Sequence, residues 1–305
     1  MRHDAVQRLR GRHSVKRLCA VLGVSRSGYY ARERQQEPAR LREDRRLKQE
    51  ILAVHAASRG RYGTPRIERQ LRREGIGTSR KRVTRLRREL DLKAKGRRRF
   101  RTTTDSDHTY PIAENHLQRR FQAARPDEIW VGDITYLAQG GGWLYLALLM
   151  DVYSRRIVGW SLSERIDTSL TLTALSRALD SRRPAAGLIH HTDRGAQYCS
   201  ATYREALERA GVEASMSRRG DCWDNAMAES LIKTIKTEVG SSFLTRSLAE
   251  RELFEYIEGF YNTRRLHSGL GYRTPAEVER LANDSTSAVA LPALAGPATA
   301  THTLA

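Results

Sequence analysis

Cysteine is scarce in this 305-residue chain, and its three examples, Cys19, Cys199 and Cys222, lie far apart. They form neither a CxxC pair nor a His/Cys ligand spacing, which argues against a disulfide framework and against structural zinc. Long apolar runs are missing as well. The longest, Trp143 to Met150, is well short of the ~18 residues a membrane span needs. The opening "MRHDAVQRLRGRH" has no apolar signal core, and no leucine heptads mark a coiled coil. The chain therefore reads as a soluble protein of a reducing cytoplasm with no membrane partner.

Acidic residues are sparse in one region only. Residues 1–100 hold 31 Lys and Arg against 10 Asp and Glu, a net of +21, which leaves 23 against 25 for the rest. An excess this local repels itself unless a polyanion neutralises it, so the N-terminal third points to nucleic acid. Within it, "SVKRLCAVLGVSRSGYYARERQ" reads as two short helices around Gly23-Val24-Ser25. Ser25 can cap the second helix, whose start exposes Arg26. That is a helix-turn-helix pattern, with an ordinary helical hairpin as the alternative.

A second unit follows in "YGTPRIERQLRREGIGTSRKRVTRLRREL", where Pro65 opens a helix and "GIGTS" breaks it. Val83, Leu86 and Leu90 recur at helical spacing as a core stripe. Around them stand Arg80, Lys81, Arg82, Arg85, Arg87 and Arg88. With few Asn or Gln among them, these suit phosphate contacts better than base reading. "KAKGRRRFRTTTDSDHTY" then loses periodicity and reads as a basic linker.

From Glu128 the texture changes. "IWVGDITYLA", "GGWLYLALLMDVYS" and "RRIVGWSL" are rich in β-formers and closely joined, which predicts an antiparallel meander. "DTSLTLTALSRALDS" is helical, "GLIHHTD" an apolar strand, "SATYREALERAG" a helix and "VEASMS" a short strand. Three strands followed by alternating helix and strand describe an α/β fold with a mixed sheet of the ribonuclease H type. The expected organisation is a helix-turn-helix-like module at 1–36, a second basic helical module at 37–100, a linker at 101–124, a ribonuclease H-like catalytic core with C-terminal helices at 125–280, and a disordered tail at 281–305.

Three acids stand out. Asp133 lies inside an apolar strand, Asp193 ends the fourth strand, and Glu229 sits in "DCWDNAMAESLIKTIKTE", a helix that Asp224 could cap. Each alone has an ordinary structural reading as a bridge, a turn or a solvated face. In a ribonuclease H sheet the first and fourth strands are neighbours, and a following helix packs beside them. Three such carboxylates cannot all ionise cheaply without cations, and oxygen-only ligation suits Mg²⁺ or Mn²⁺.

The "DITYL" around Asp133, the "HTDRGAQY" around Asp193 and the "DNAMAES" around Glu229 resemble the three signatures of the DDE transposase and integrase superfamily. The last two acids enclose 35 residues, and the closing "FYNTRRLHSGLGYRTPAEV" resembles the C-terminal signature of second-frame (OrfB) insertion-sequence transposases. The resemblance covers about Arg12 to Val278. It implies metal-dependent DNA cleavage and strand transfer, with two ions held by Asp133, Asp193 and Glu229. It also implies double-stranded DNA as partner, both element ends and target, a homo-oligomer on that DNA, and a first-frame product as partner or fused segment. A bacterial, nucleoid-associated setting follows. No His-His-Cys-Cys zinc module precedes the core, and the tandem His190-His191 reads as strand packing or scaffolding.

Further assignments rest on position. Lys233 and Lys236 lie four and seven residues past Glu229, near its face of the helix, and can hold phosphate. Arg194 can hold the DNA backbone or pair with an acid. Leu231 and Ile235 read as core, Asn225 and Trp223 as capping and packing, and Gly195 as permitting a tight strand exit. Two other functions compete: a non-catalytic DNA-binding regulator explains the basic third but not the acids, and a ribonuclease H-like nuclease explains the acids but not the helical modules.

Overall fold

Three helices of the first ninety residues start on a serine cap, Ser14, Ser25 and Ser79. In this computed structural model, which describes residues 2–33, 39–96, 111–218 and 222–289, the chain divides into two units, Met1–Ala94 and Lys95–Ala305. The first unit opens with α1 (Arg2–Leu9), α2 (Val15–Leu22) and α3 (Arg26–Glu33). Ser14 caps α2 and Ser25 accepts from the Gly28 N–H, while Gly23 takes a left-handed φ of 62° that closes α2. Val6, Leu18, Cys19 and Tyr29 form a small apolar centre, so α1, which the sequence pattern did not announce, completes a three-helix cluster around the expected pair.

The same unit continues with α4 (Ala39–Ala57), α5 (Thr64–Arg73) and α6 (Arg80–Glu89). Ile51, Val54, Ile67, Leu71, Val83 and Leu86 are buried, whereas Leu90, expected in the core stripe, closes α6 half-buried. On α4 the stripe Asp44, Leu47, Ile51 and Val54 faces inward, so a carboxylate occupies one core position. Two arginines of α6 complete it: Arg82 Nε donates to Asp44 Oδ1 at 2.7 Å and Arg85 Nη2 to Oδ2 at 2.6 Å. These hydrogen bonds, Arg85's first, hold the Asp44 carboxyl below its ordinary pKa. Arg82 and Arg85, expected on DNA, are thus engaged in fixing α6 to α4, because a buried carboxylate requires cations. Arg87 is likewise turned inward, donating to Thr64 Oγ1 and to the Leu92 carbonyl. Arg26, Arg80, Lys81 and Arg88 remain exposed.

The second unit is built on one mixed sheet. Its strands are β1 (Ile129–Gln139), β2 (Gly142–Asp151), β3 (Ile157–Ser163), β4 (Leu188–Thr192), β5 (Val212–Met216) and the short β6 (Ser242–Phe243). The order is β3-β2-β1-β4-β5, with β6 pairing the far end of β1. β1, β2 and β3 form the expected antiparallel meander, and β1-β4 and β4-β5 are parallel. One face is covered by α7 (Thr168–Arg182), α8 (Ala196–Cys199) and α9 (Ala201–Arg209), whose Leu170, Ala174, Tyr203 and Leu207 pack with Trp130, Leu149 and Val212. Gly159 lets α7 come close, since a Cβ there would stand 2.3 Å from the Ala174 carbonyl oxygen.

After β5 come a 3-10 turn (Cys222–Asn225), α10 (Ala226–Glu238), α11 (Arg246–Tyr256) and α12 (Pro275–Val289). Leu231 and Ile235 are buried, as their helical spacing predicts. The C-terminal signature is scaffold: Asn262 bridges both the N–H and the carbonyl of Ile157 on edge strand β3, and Arg265 pairs with buried Glu238. Two expected boundaries move. The linker proposed for 101–124 lies outside the described residues up to 110, but from Glu114 it is a packed arm. His116 N–H donates to Ser215, the Met216 N–H to the Glu114 carbonyl, and Leu117 is buried. Backbone pairing of this kind needs no periodicity, so the sequence carried no sign of it. The tail expected to be disordered from 281 is helical to Val289, and beyond that it lies outside the described residues.

Candidate active site

The parallel register of β1 and β4 decides where the acids fall. Trp130 pairs with His190 and Val131 with His191; Asp133 lies two residues further along β1, and Asp193 follows directly after the end of β4. Within β1, Asp133 shares the pleat face of Val131, opposite that of Trp130. Helix α10 contacts β1 and carries Glu229 in its first turn.

Electrostatics tie the three together. Burial pushes the Asp133 carboxyl well above the ordinary carboxylate range; the charges of Asp193 and Glu229 act in the same direction. The Ile134 N–H, donating to Asp133 Oδ1 at 2.7 Å, and the Lys236 ammonium oppose them. Lys236 is half-buried, and desolvation lowers its own pKa while Asp133 raises it. Lys233 is exposed and pairs with Glu229 at 3.3 Å, a surface contact worth little. Arg194 is anchored by its Nε on the Ser217 carbonyl at 2.6 Å.

A single turn connects the elements that bear the acids. Asp224, fully buried, does not cap α10. Its carboxylate accepts from the Arg218 N–H and guanidinium, Asn115 Nδ2 and Arg119 Nε, all at 2.9–3.1 Å. The Arg218 bonds lead in lowering its pKa. The Asp224 carbonyl lies 3.0 Å from His191 Nε2, and His191 Nδ1 is 2.8 Å from Ser215 Oγ. Asn225 is the cap residue by position, yet its Nδ2 donates to the Gly132 carbonyl at 3.1 Å, one residue before Asp133. Trp223, expected to pack, is 68 % exposed.

The histidines serve as scaffold. His190 Nε2 meets Tyr203 Oη at 2.8 Å on the opposite face, and Gly132 is needed there because a Cβ would stand 2.9 Å from the His190 ring. Burial lowers His190 to about 3 and His191 to about 4. Gly195 has an ordinary φ of −61°, so conformational freedom is not its role. Its N–H donates to Asp193 Oδ1 at 3.0 Å, and a Cβ would stand 3.1 Å from that oxygen.

Family models match three stretches: an HTH-like domain over residues 42–100 and integrase core domains over 123–222 and 210–275. The chain is 48 % identical over 261 residues to a 31 kDa protein of insertion element IS600 from Shigella sonnei, covering 85 % of this chain and 96 % of that one. It is 38 % identical over 283 residues to transposase InsF of insertion sequence IS3A from Escherichia coli, covering 92 % and 98 %. The chain belongs to the insertion-sequence transposases. It is a DDE polynucleotidyl transferase with a ribonuclease H-like integrase core behind a helix-turn-helix-like region. Solved structures similar to the transposase include a simian T-cell lymphotropic virus intasome with PP2A subunit B56 gamma, at TM-score 0.45 and 13 % identity over 83 % of this chain and 80 % of that one. Another is the HTLV-2 integrase catalytic core with magnesium, at TM-score 0.37 and 19 % identity over 52 % and 98 %.

Sequence reasoning about the transposase missed Asp224, Asn225, Asn115 and Arg119 as organisers of the site. A polar pair ahead of an amphipathic helix signals a cap, and nothing local distinguishes a cap from a bond to a distant strand. As the side chains stand, no group of three acidic, imidazole or thiol residues among those described is tight enough to hold an ion. The donor set nevertheless suits a hard divalent cation: oxygens only, with mutual repulsion at Asp133 that a cation would relieve.

Proposed function

We propose that Asp133, Asp193 and Glu229 hold two divalent cations, Mg²⁺ or Mn²⁺, and that the transposase uses them to cut DNA at element ends and join the freed 3′-OH to target DNA. What supports this reading is that the Asp133 carboxyl is pushed above the ordinary carboxylate range by burial first and then by the charges of Asp193 and Glu229, so the three acids act on one another. When bound, the ions neutralise charge on the scissile phosphate and make water or a 3′-OH a better nucleophile.

The chain's own groups orient the substrate. Lys236, held half-buried beside Asp133, offers its ammonium to a phosphate oxygen, and Lys233 exchanges its surface pair with Glu229 for the backbone of the same DNA. Arg194 keeps its guanidinium at the mouth of β4 through Ser217. Arg26, Arg80 and Lys81 supply phosphate contacts from exposed positions. Joining two element ends to one target calls for more than one protomer, hence a homo-oligomer on DNA; a first-frame product is the partner that would add end recognition. The setting is the bacterial nucleoid.

Labelled DNA ends incubated with purified protein test the reading. Strand joining in Mg²⁺ is the expected outcome. Cutting without joining would favour a nuclease, and metal-independent binding alone would favour a regulator.

A further inference from the structure

We propose that Asn225 supplies a fourth oxygen to the divalent-cation site, a neutral donor beside the three acids, an inference that rests on the three-acid reading above. Asn225 is 4 % exposed, and its two amide atoms meet different surroundings. Nδ2 donates to the Gly132 carbonyl at 3.1 Å, and a carbonyl can be met only by the nitrogen of an amide. That fixes which atom is left over. Oδ1 is buried and has no hydrogen-bond partner among the described residues, a state that costs free energy until a donor or a cation fills it.

The amide stands where two acid-bearing segments part. Parallel pairing of β1 with β4 ends at Val131 and His191. The Ile189 N–H donates to the Glu128 carbonyl, so the same register carried on would bring the N–H of residue 193 toward the carbonyl of Gly132. Asn225 Nδ2 is bonded to that carbonyl. The side chain therefore lies on the β4 side of β1 just past the last paired residues, with Asp133 the next residue of the strand and Glu229 one turn on in α10. Oδ1 shares a carbon with Nδ2 and is held at the same place. An oxygen there accepts only from a donor or a cation, and a hard divalent cation takes amide as well as carboxylate oxygens. A neutral donor also adds an oxygen without adding to the repulsion already felt at Asp133, which a fourth carboxylate would increase.

The test is Mn²⁺ binding to the full-length protein without DNA, followed by electron paramagnetic resonance at pH 8 and about 0.15 M salt, where distant charges are screened. Two variants both lose the amide nitrogen and its bond to Gly132, and they differ in what replaces the oxygen. Asn225→Leu leaves none and should weaken Mn²⁺ binding about tenfold. Asn225→Asp puts a charged oxygen in its place and should bind Mn²⁺ at least as tightly as wild type, while its metal-free melting temperature falls because a fourth carboxylate is crowded in. Equal weakening in the two variants would mean that Asn225 acts only through Gly132, and the fourth oxygen would be lost. Unchanged affinity in Asn225→Leu would overturn the proposal as well. Should the leucine protein not fold, Asn225→Asp decides alone, and affinity below wild type counts against the proposal. Glu229→Gln keeps the two readings apart. Affinity that falls in Glu229→Gln but not in Asn225→Leu removes the fourth oxygen only, whereas a wild type that binds no Mn²⁺, or binds it equally well without the Glu229 charge, removes the three-acid reading and this inference with it.

Discussion

Asp44 in the N-terminal unit and Asp133 in the catalytic unit are both acids set among inward-facing residues, and their surroundings push them in opposite directions. Asp44 sits between Arg82 and Arg85, and its pKa falls. Asp133 is buried near Asp193 and Glu229, and burial first, then those charges, raises its pKa. The N-terminal unit carries the large positive excess, yet on α6 much of it is matched internally. The catalytic region is close to neutral by count and still gathers like charges at one point. Net charge therefore separates the two units but does not tell paired cations from exposed ones, and it misses the local repulsion that Asp193 and Glu229 exert on Asp133.

The largest effect expected from disturbing this contrast is on chemistry. Glu229→Gln keeps shape and removes charge, so cleavage and joining in Mg²⁺ should fall on the order of 10³-fold, with DNA affinity nearly intact; a gel assay beside a binding titration measures both. Wild-type turnover by this variant would remove Glu229 from the site.

Next in size is acid sensitivity from the buried histidines. His191 is lowered to about 4 in the fold, below its unfolded value near 6.5. Between those values the unfolded chain binds the extra proton, so stability is complete above about pH 6.5 and is lost as pH falls toward 4. At pH 5 the loss should be on the order of 2 kcal/mol for this one group. Denaturant melts at pH 7 and pH 5 would show it, and His191→Gln should flatten the difference.

The two aspartates themselves should respond with opposite sign. Asp44→Asn leaves Arg82 and Arg85 facing a neutral amide and should lower Tm. Asp193→Asn relieves repulsion at Asp133 and should leave the metal-free protein within about 1 kcal/mol of wild type or above it. Mg²⁺ should raise Tm for wild type and much less for Asp193→Asn, since only a bound ligand stabilises the folded state. A clear loss in metal-free Asp193→Asn with an unchanged metal response would make it a structural residue.

The smallest effects concern DNA contacts. Arg80→Ala or Lys81→Ala should each reduce the slope of log affinity against log salt by roughly 0.9 if the side chain neutralises one phosphate. Arg82→Ala and Arg85→Ala should leave that slope unchanged and lower Tm instead. Equal slopes for all four would erase the distinction between exposed and inward arginines.

Much of the fold was legible because it is written in local periods. Alternation and β-formers gave β1 to β3, helical spacing gave Leu231 and Ile235, and cap chemistry gave the start of α3. The identity and spacing of Asp133, Asp193 and Glu229 were likewise fixed by the chain as written. Helix α1 and the packed arm after Glu114 were not legible, since short polar segments acquire structure from what they dock on.

Tertiary structure decided which charges are paired and what holds the acids in place. Asp44 finds Arg82 across 38 residues, Asn225 reaches Gly132 across 93, and Arg119 reaches Asp224 across 105. Sequence patterns report the face a residue takes within its own helix or strand. Hydrogen bonds and ion pairs act over about 3 Å, so their partners exist only once distant segments have been brought side by side.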